Sequence, residues 1–380
     1  MPRTLGMILD TENHLLMTEG SRYLKNRWLS LHGDSSILFD NAKNGMEERI
    51  HRLLKDLKTM GLYEFNSLPY IGYTIAALLN LEAFGSTQIR TDAREVLDYM
   101  NWCYALGSLE LNHFPAMRRR YEKAGVREFS SNYHTAFMTT WLHFLKDSVA
   151  LPSRELTPAH TLVASYMPYR PADEVVKFQF EKGAGYFVQF GHGPGATPEI
   201  YTAGKNYLLS SGGANRGKSS HVVPRPICLF LKDGADDLSQ VIHLFGPTIA
   251  YMKWNNTGVY RNFAVAAGPV HVPENMKPLA TRDSWRVYTL QDTIVVVVYS
   301  RADFGLIHVA ENVDANHFFQ TVLSLNPSES QLKNDFVFSD GKSLAYDVDA
   351  PHRFWVMKAV NGVQLNRNVD EWPLMNGEFY

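Results

Sequence analysis

Cysteine is nearly absent from this chain. Only Cys103 and Cys228 occur in 380 residues, each inside an apolar run and in different halves. That usage excludes a disulfide framework or a zinc ribbon of paired cysteines and predicts two buried free thiols. No HExxH signature occurs either. An excess of one charge is missing too. Lys plus Arg number 37 against 39 Asp plus Glu, a formal net charge of −2. No global basic field therefore exists for nucleic acid or an anionic membrane, and a polyanion would have to meet a local basic cluster. No apolar run approaches the length of a membrane span. The opening MPRTLGMILDTEN lacks the charged start, apolar centre and small-residue cleavage site of a signal peptide. An export signal is therefore expected to lie outside this sequence if the protein is secreted or periplasmic. Internal repeats of fixed period and low-complexity segments are also lacking.

What remains is the composition of a soluble globular protein, 45% hydrophobic and 20% charged, long enough for two domains. Its 21 Phe and 19 Tyr provide flat rings for a core or for stacking on sugars. Residues 1–165 carry helical spacing. Residues 10–28 (DTENHLLMTEGSRYLKNRW) predict a helix capped by Asp10 or Thr11, with Leu15, Leu16, Tyr23, Leu24 and Trp28 on its apolar face. Further helices are predicted over 44–60, 72–84, 87–106 and 132–147, with 118–122 a short candidate. From 171 onward the texture changes to short runs of β-branched and aromatic residues: 175–180, 185–190, 207–210, 227–231, 285–290, 293–299 and 305–309. Helices followed by strands argue for segregated layers rather than an alternating parallel fold. The boundary falls among Pro152, Pro158, Pro168 and Pro171.

One motif misleads. Residues 212–219 (GGANRGKS) match the phosphate-cradling GxxxxGK[ST] pattern, which requires a helix to begin at its Lys-Ser end. Here Val222, Val223, Pro224 and Pro226 follow, so a glycine-rich turn is expected and ATP or GTP binding is rejected. Residues 191–195 (GHGPG) likewise read as a tight turn. Arg118, Arg119 and Arg120 cannot share one helix face, because neighbours point about 100° apart. At least one is expected in solvent and one turned inward. Asn132 before Tyr133 and His134 reads as an N-cap.

The pair Asn13-His14 opens the first helix. A helical half with Thr11-Glu12-Asn13-His14 at the start of an inner helix, followed by a β-rich half, resembles the toroid-plus-β-sandwich polysaccharide lyases, the alginate, chondroitin and heparinase II/III-like group. Residues 65–84 (FNSLPYIGYTIAALLNLEAF) and 118–121 also look like uncharacterised relatives of that group. The pattern departs from the alginate lyases in that Glu12 precedes the pair and Leu15-Leu16 follow it. The resemblance implies an α+β multidomain chain: an incomplete α/α toroid over 1–165 and an antiparallel β-sandwich over 171–380. About six helices are counted where a full toroid needs about a dozen.

The implied activity is metal-independent β-elimination on a uronic-acid polysaccharide, with no cofactor and no nucleic-acid or membrane partner. By the resemblance Asn13 neutralises the uronate carboxylate and His14 removes the C5 proton. A carbon next to a carboxylate gives up its proton only when fixed donors stabilise the developing charge, and an imidazole suits the abstraction. A tyrosine protonates the leaving oxygen. Tyr70, Tyr73, Tyr121 and Tyr133 are the candidates, with Tyr133 and Tyr70 preferred. Arg120 is the candidate carboxylate clamp, and His134, His192 and His221 are candidate substrate contacts. Two alternatives stay open. One is a glycoside hydrolase using a carboxylate pair drawn from Glu12, Glu19, Glu64 and Glu128. The other is a glycan-binding relative without chemistry.

Overall fold

The computed structural model describes residues 3–4, 8–9, 11–68, 70–118, 125–129, 132–146, 149, 158–183, 185–195, 197–213, 222–244, 256–351 and 353–380. The fold is mixed α+β, with most helices in the N-terminal part and antiparallel sheets after them. The chain forms two compact units, and both are discontinuous. Met1–Leu106 and Ser130–Phe180 form a helical unit, while Gly107–Phe129 and Glu181–Tyr380 form a sheet unit. The expectation from sequence had been a single division between 165 and 171.

In the helical unit, α1 (Glu12–Leu31) buries Asn13, Leu16, Gly20, Tyr23 and Asn26, a three-and-four spacing that lays one stripe against α3 (Tyr70–Phe84). The Tyr23 hydroxyl accepts from the Ser86 amide at 3.0 Å, and Arg27 Nε donates to the Phe84 carbonyl at 3.1 Å. One expectation fails here, that of Trp28, and the cap is described only in part. Thr11 holds the N-cap position with extended backbone, yet its side chain makes no cap bond; Asp10 lies outside the described residues. Trp28 is 58% exposed and stacks on His32 instead of joining the buried stripe.

Helix α2 (Met46–Met60) buries Met46, Ile50, Leu54 and Leu57. It is tied to α4 (Thr87–Gly107) by a buried carboxylate: Asp92 meets His51 Nδ1 at 2.6 Å and Lys58 Nζ at 3.1 Å. Burial pushes the Asp92 pKa up, but these bonds and one from Gln88 outweigh it and hold it below the usual value. Helix α5 (Tyr133–Leu145) is capped by Asn132, whose side chain accepts from the His134 amide at 2.8 Å, as expected. Helices α6 (Pro158–Tyr166) and α7 (Asp173–Phe180) complete the unit. Residues 175–180 were expected as a strand. Val175, Val176 and Gln179 are buried at helical spacing, and Asp173 and Glu174 in the first turn with Lys177 in the last suit the helix dipole.

The sheet unit holds two six-stranded antiparallel sheets. The first runs in the order His243–Leu244, Arg225–Leu231, Tyr207–Gly212, Glu199–Ala203, Tyr186–Phe190, Asn376–Phe379. The second runs Thr257–Tyr260, Phe263–Ala266, Gly305–Glu311, Ile294–Ser300, Trp285–Leu290, Ala280–Arg282. Residues of both sheets, among them Ile200, Leu209, Leu229, Val265, Val296 and Val298, share one hydrophobic core. Helix α8 (Ala315–Leu325) adds Phe318, Phe319, Val322 and Leu323 to that core, with the Phe318 ring 5.0 Å from His308 in the second sheet. Apolar residues on both faces account for the unbroken IVVVV run at its centre.

The excursion Gly107–Phe129 joins this unit because it lies on the first sheet. A Cβ on Gly107 would touch the Tyr201 ring, Phe129 packs edge-on against Phe230 at 4.8 Å, and the strand Met117–Arg118 pairs with Val222–Val223. Arg118, expected in a short helix, is therefore in a strand, and it is buried. Of the GxxxxGK[ST] stretch at 212–219, residues 214–219 lie outside the described residues; further on, Val222–Val223 and Arg225–Leu231 are strands.

Candidate functional site

The helical unit gathers rings from three helices around one imidazole. His160 of α6 stacks on Tyr133 of α5, with centroids 4.6 Å apart and planes inclined by 29°. The Phe137 ring, one turn further along α5, meets His160 edge-on at 5.3 Å, and Tyr73 of α3 lies at 6.5 Å. Tyr70 stands 6.3 Å from Tyr73. The two preferred tyrosines of the sequence reading, Tyr70 and Tyr133, thus lie in one aromatic group, linked through Tyr73 and His160.

Local sequence explains each placement. Helix α6 starts at residue 158, which puts His160 in its first turn. Gly72 clears the way for the imidazole, since a Cβ there would collide with His160 Nε2. His160 is 8% exposed, and its Nδ1 is buried with no hydrogen-bond partner among the described residues. Burial lowers its pKa, which favours the neutral ring. Tyr133 and Tyr70 are half-buried and Tyr73 is 41% exposed, so the group has a solvent-facing side.

His134 follows Tyr133 but enters different surroundings. Its Nε2 donates to Asn101 Oδ1 at 2.8 Å; the Asn101 amide donates to the Tyr169 hydroxyl at 2.9 Å; Tyr169 donates to Asp98 at 2.6 Å. Burial lowers the His134 pKa to about 3 and raises those of Tyr169 and Asp98. This chain of bonds is internal to the helical unit, running through Tyr169 between α6 and α7, and His134 is 3% exposed.

Asn13 is buried on α1, and its amide nitrogen has no acceptor among the described residues. His14, next along the helix, is exposed, with its carbonyl accepting from Thr18. His192 belongs to the sheet unit. It sits in the turn at 191–195, where Gly193 and Gly195 adopt φ of 76° and 83°, values that glycine alone takes freely. Its Nε2 lies 2.6 Å from Glu199, whose other oxygen accepts from the Tyr201 hydroxyl. Arg118, the one described residue of the arginine run, is buried and donates to the Gly195 carbonyl of the same turn at 3.2 Å. Arg120, Tyr121 and His221 lie outside the described residues.

Sequence reasoning missed His160 and the Glu199–Tyr201 pair. The signal for His160 was Thr157-Pro158 ahead of an apolar run, a helix start concealed within a stretch read as a proline-rich boundary.

Neither cysteine is in a disulfide; Cys228 is buried as expected, while Cys103 is only half-buried. No group of three or more His, Cys, Asp or Glu that could hold a metal ion forms among the described residues, and none of their helices is long and apolar enough to cross a membrane. Comparison with protein-family models, with curated proteins and with solved structures finds no match to this chain.

Proposed function

We propose that the chain is a polysaccharide lyase that cleaves a uronic-acid polymer by metal-independent β-elimination, on an incomplete α/α toroid of α1–α7 joined to a β-sandwich of the two six-stranded sheets. The observation that carries the reading is the aromatic group itself: Tyr70, Tyr73 and Tyr133 converge beside a neutral imidazole, with one side open to solvent. Aromatic faces stack on sugar rings, and a tyrosine next to an unprotonated base provides the acid and the base that elimination needs. Tyr133 gives its phenolic proton to the departing glycosidic oxygen, and Tyr73 and Tyr70 hold the flanking sugar. Asn13 is the donor for the uronate carboxylate, and its buried amide without an acceptor suits that role.

The test is ultraviolet absorbance during incubation with polymannuronate, polygalacturonate and hyaluronate, in EDTA and beside Tyr133→Phe. A conjugated double bond makes absorbance rise, and the variant should abolish that rise. A flat trace with every polymer removes the lyase reading.

One contact favours a glycoside hydrolase as the second reading. The Glu12 carboxylate accepts from the Glu64 amide at 2.7 Å, which makes two of the candidate acids neighbours. New reducing ends without absorbance, lost in Glu12→Gln, would establish that reading. Affinity for the polymers with neither signal would leave a glycan-binding protein.

A further inference from the structure

We propose that His243 and His271 form a binding site for one divalent transition-metal ion of the zinc, copper or nickel kind, which clips the edge of the first sheet to the segment leaving the second. The site lies within the sheet unit and does not rest on the elimination reading. The backbone sets it up. His243 opens the edge strand His243–Leu244, and His271 lies just beyond the strand Phe263–Ala266. The two residues form an isolated antiparallel bridge: the His243 amide donates to the His271 carbonyl at 3.1 Å, and the His271 amide to the His243 carbonyl at 2.8 Å. Residues directly opposite in such a pair project to the same face, with Cβ atoms about 4.5–5.5 Å apart. Here the ring centroids are 4.5 Å apart and the planes are inclined by 40°. The Val270 amide donates to Ser300 Oγ at 3.0 Å, so the His271 side of the bridge is anchored on the second sheet.

The donor set decides the ligand. His243 Nδ1 donates to the Val241 carbonyl at 2.9 Å, so in the neutral ring Nε2 carries the lone pair. A carbonyl behind the ring is the usual outer partner of a metal-binding imidazole, because it fixes both tautomer and orientation. His271, the second imidazole, is exposed, which gives an ion a way in. Arg127 and Asp237 bring opposite charges to His243, so no net cation stands there to repel a metal ion. Imidazole nitrogen suits zinc, copper and nickel, whereas calcium and magnesium demand oxygen ligands. Two imidazoles fill two positions and water takes the others, so binding is weaker than in a closed four-ligand site.

The experiment titrates the protein, stripped with EDTA and desalted, with Zn²⁺ by calorimetry and with Cu²⁺ by electron paramagnetic resonance. His271→Ala should weaken Zn²⁺ binding by about 10–100-fold or more, since losing even an outer partner of a ligand costs that much. His32→Ala, which removes an exposed histidine of the helical unit, should leave it unchanged. The Cu²⁺ spectrum should show coupling to two nitrogens in the wild type and to one in His271→Ala. Zn²⁺ should also raise the unfolding temperature of the wild type but not of that variant, because an ion bound only by the folded chain stabilises it. The bridge uses main-chain atoms, so His271→Ala should fold, as circular dichroism would show. If it does not, the wild-type Cu²⁺ spectrum decides, and coupling to a single nitrogen overturns the site. No Zn²⁺ uptake at a large excess of the ion overturns it too. Uptake and stabilisation that persist in His271→Ala belong to other histidines, and also overturn it.

Discussion

Tyr133 and His134 are adjacent in the chain, and they open onto two regions that treat a buried histidine in opposite ways. Neighbours on a helix point about 100° apart, so Tyr133 faces His160 while His134 faces Asn101. Both imidazoles are buried and both have lowered pKa values for that reason. Around His134, hydrogen bonds continue through Asn101 and Tyr169 to a carboxylate. Around His160 the neighbours are rings, which orient it without satisfying Nδ1. Hydrogen bonds hold His134, whereas ring packing holds His160. The pKa shift is downward in both, so it is the partners that distinguish the two settings.

The contrast can be broken most sharply at Tyr133. Tyr133→Phe should reduce product formation by about 10²–10⁴-fold while the unfolding midpoint in urea hardly moves. Asn101→Leu should do the reverse: it strands His134 Nε2 and removes the bond the Tyr169 hydroxyl accepts, and should cost about 1–3 kcal/mol in the same unfolding experiment.

Acid should find the bonded region next. His134 takes up its proton near pH 6.5 when unfolded but only near pH 3 when folded, so the unfolded chain binds more protons in that window. Its contribution to stability is complete above pH 6.5 and should fall by about 1.4 kcal/mol per pH unit below it. Asp98 works in the opposite sense. Burial raises its folded pKa, so its contribution is complete below the unfolded value and is lost as pH rises through the folded one. Urea titrations of the wild type and Asp98→Asn between pH 7 and pH 4 should therefore differ in slope. The smallest effects should come from the caps. Asn132→Ala, which frees the His134 amide at the root of both regions, should cost about 1 kcal/mol, and Thr11→Ala, which breaks no cap bond, less than half of that.

Much of this was legible in the sequence where one element decides its own fate. The periodicity of α2 and α4, the Asn132 cap, the run at 294–300 and the turn at 191–195 all express local preferences, and the structure has them. The phosphate-loop stretch, rejected on its proline context, lies mostly outside the described residues. Residues 175–180 misled because Val and Phe favour strands on average, while flanking charges and burial on one side made a helix. The strand Glu199–Ala203 was missed because its Glu and Thr are buried by partners from elsewhere in the chain. Tyr70 and Tyr133 could be nominated from their types, but their link through His160 needs three helices to close, and no spacing in the sequence encodes that. The placement of Gly107–Phe129 on the first sheet is equally non-local.

That excursion has a consequence for how the molecule is made. During synthesis α1–α4 emerge first, but α5–α7 are still to come, and the helical unit cannot close until residue 180 has left the ribosome. The 23-odd residues between wait longer still, because the strands they cover, from Glu199 to Leu231, are the later ones to appear. Neither unit can finish in the order in which it is translated. A ribosome stalled between residues 130 and 180 would hold four finished helices and a segment whose sheet does not yet exist, the stage at which a holdase should bind this chain most tightly.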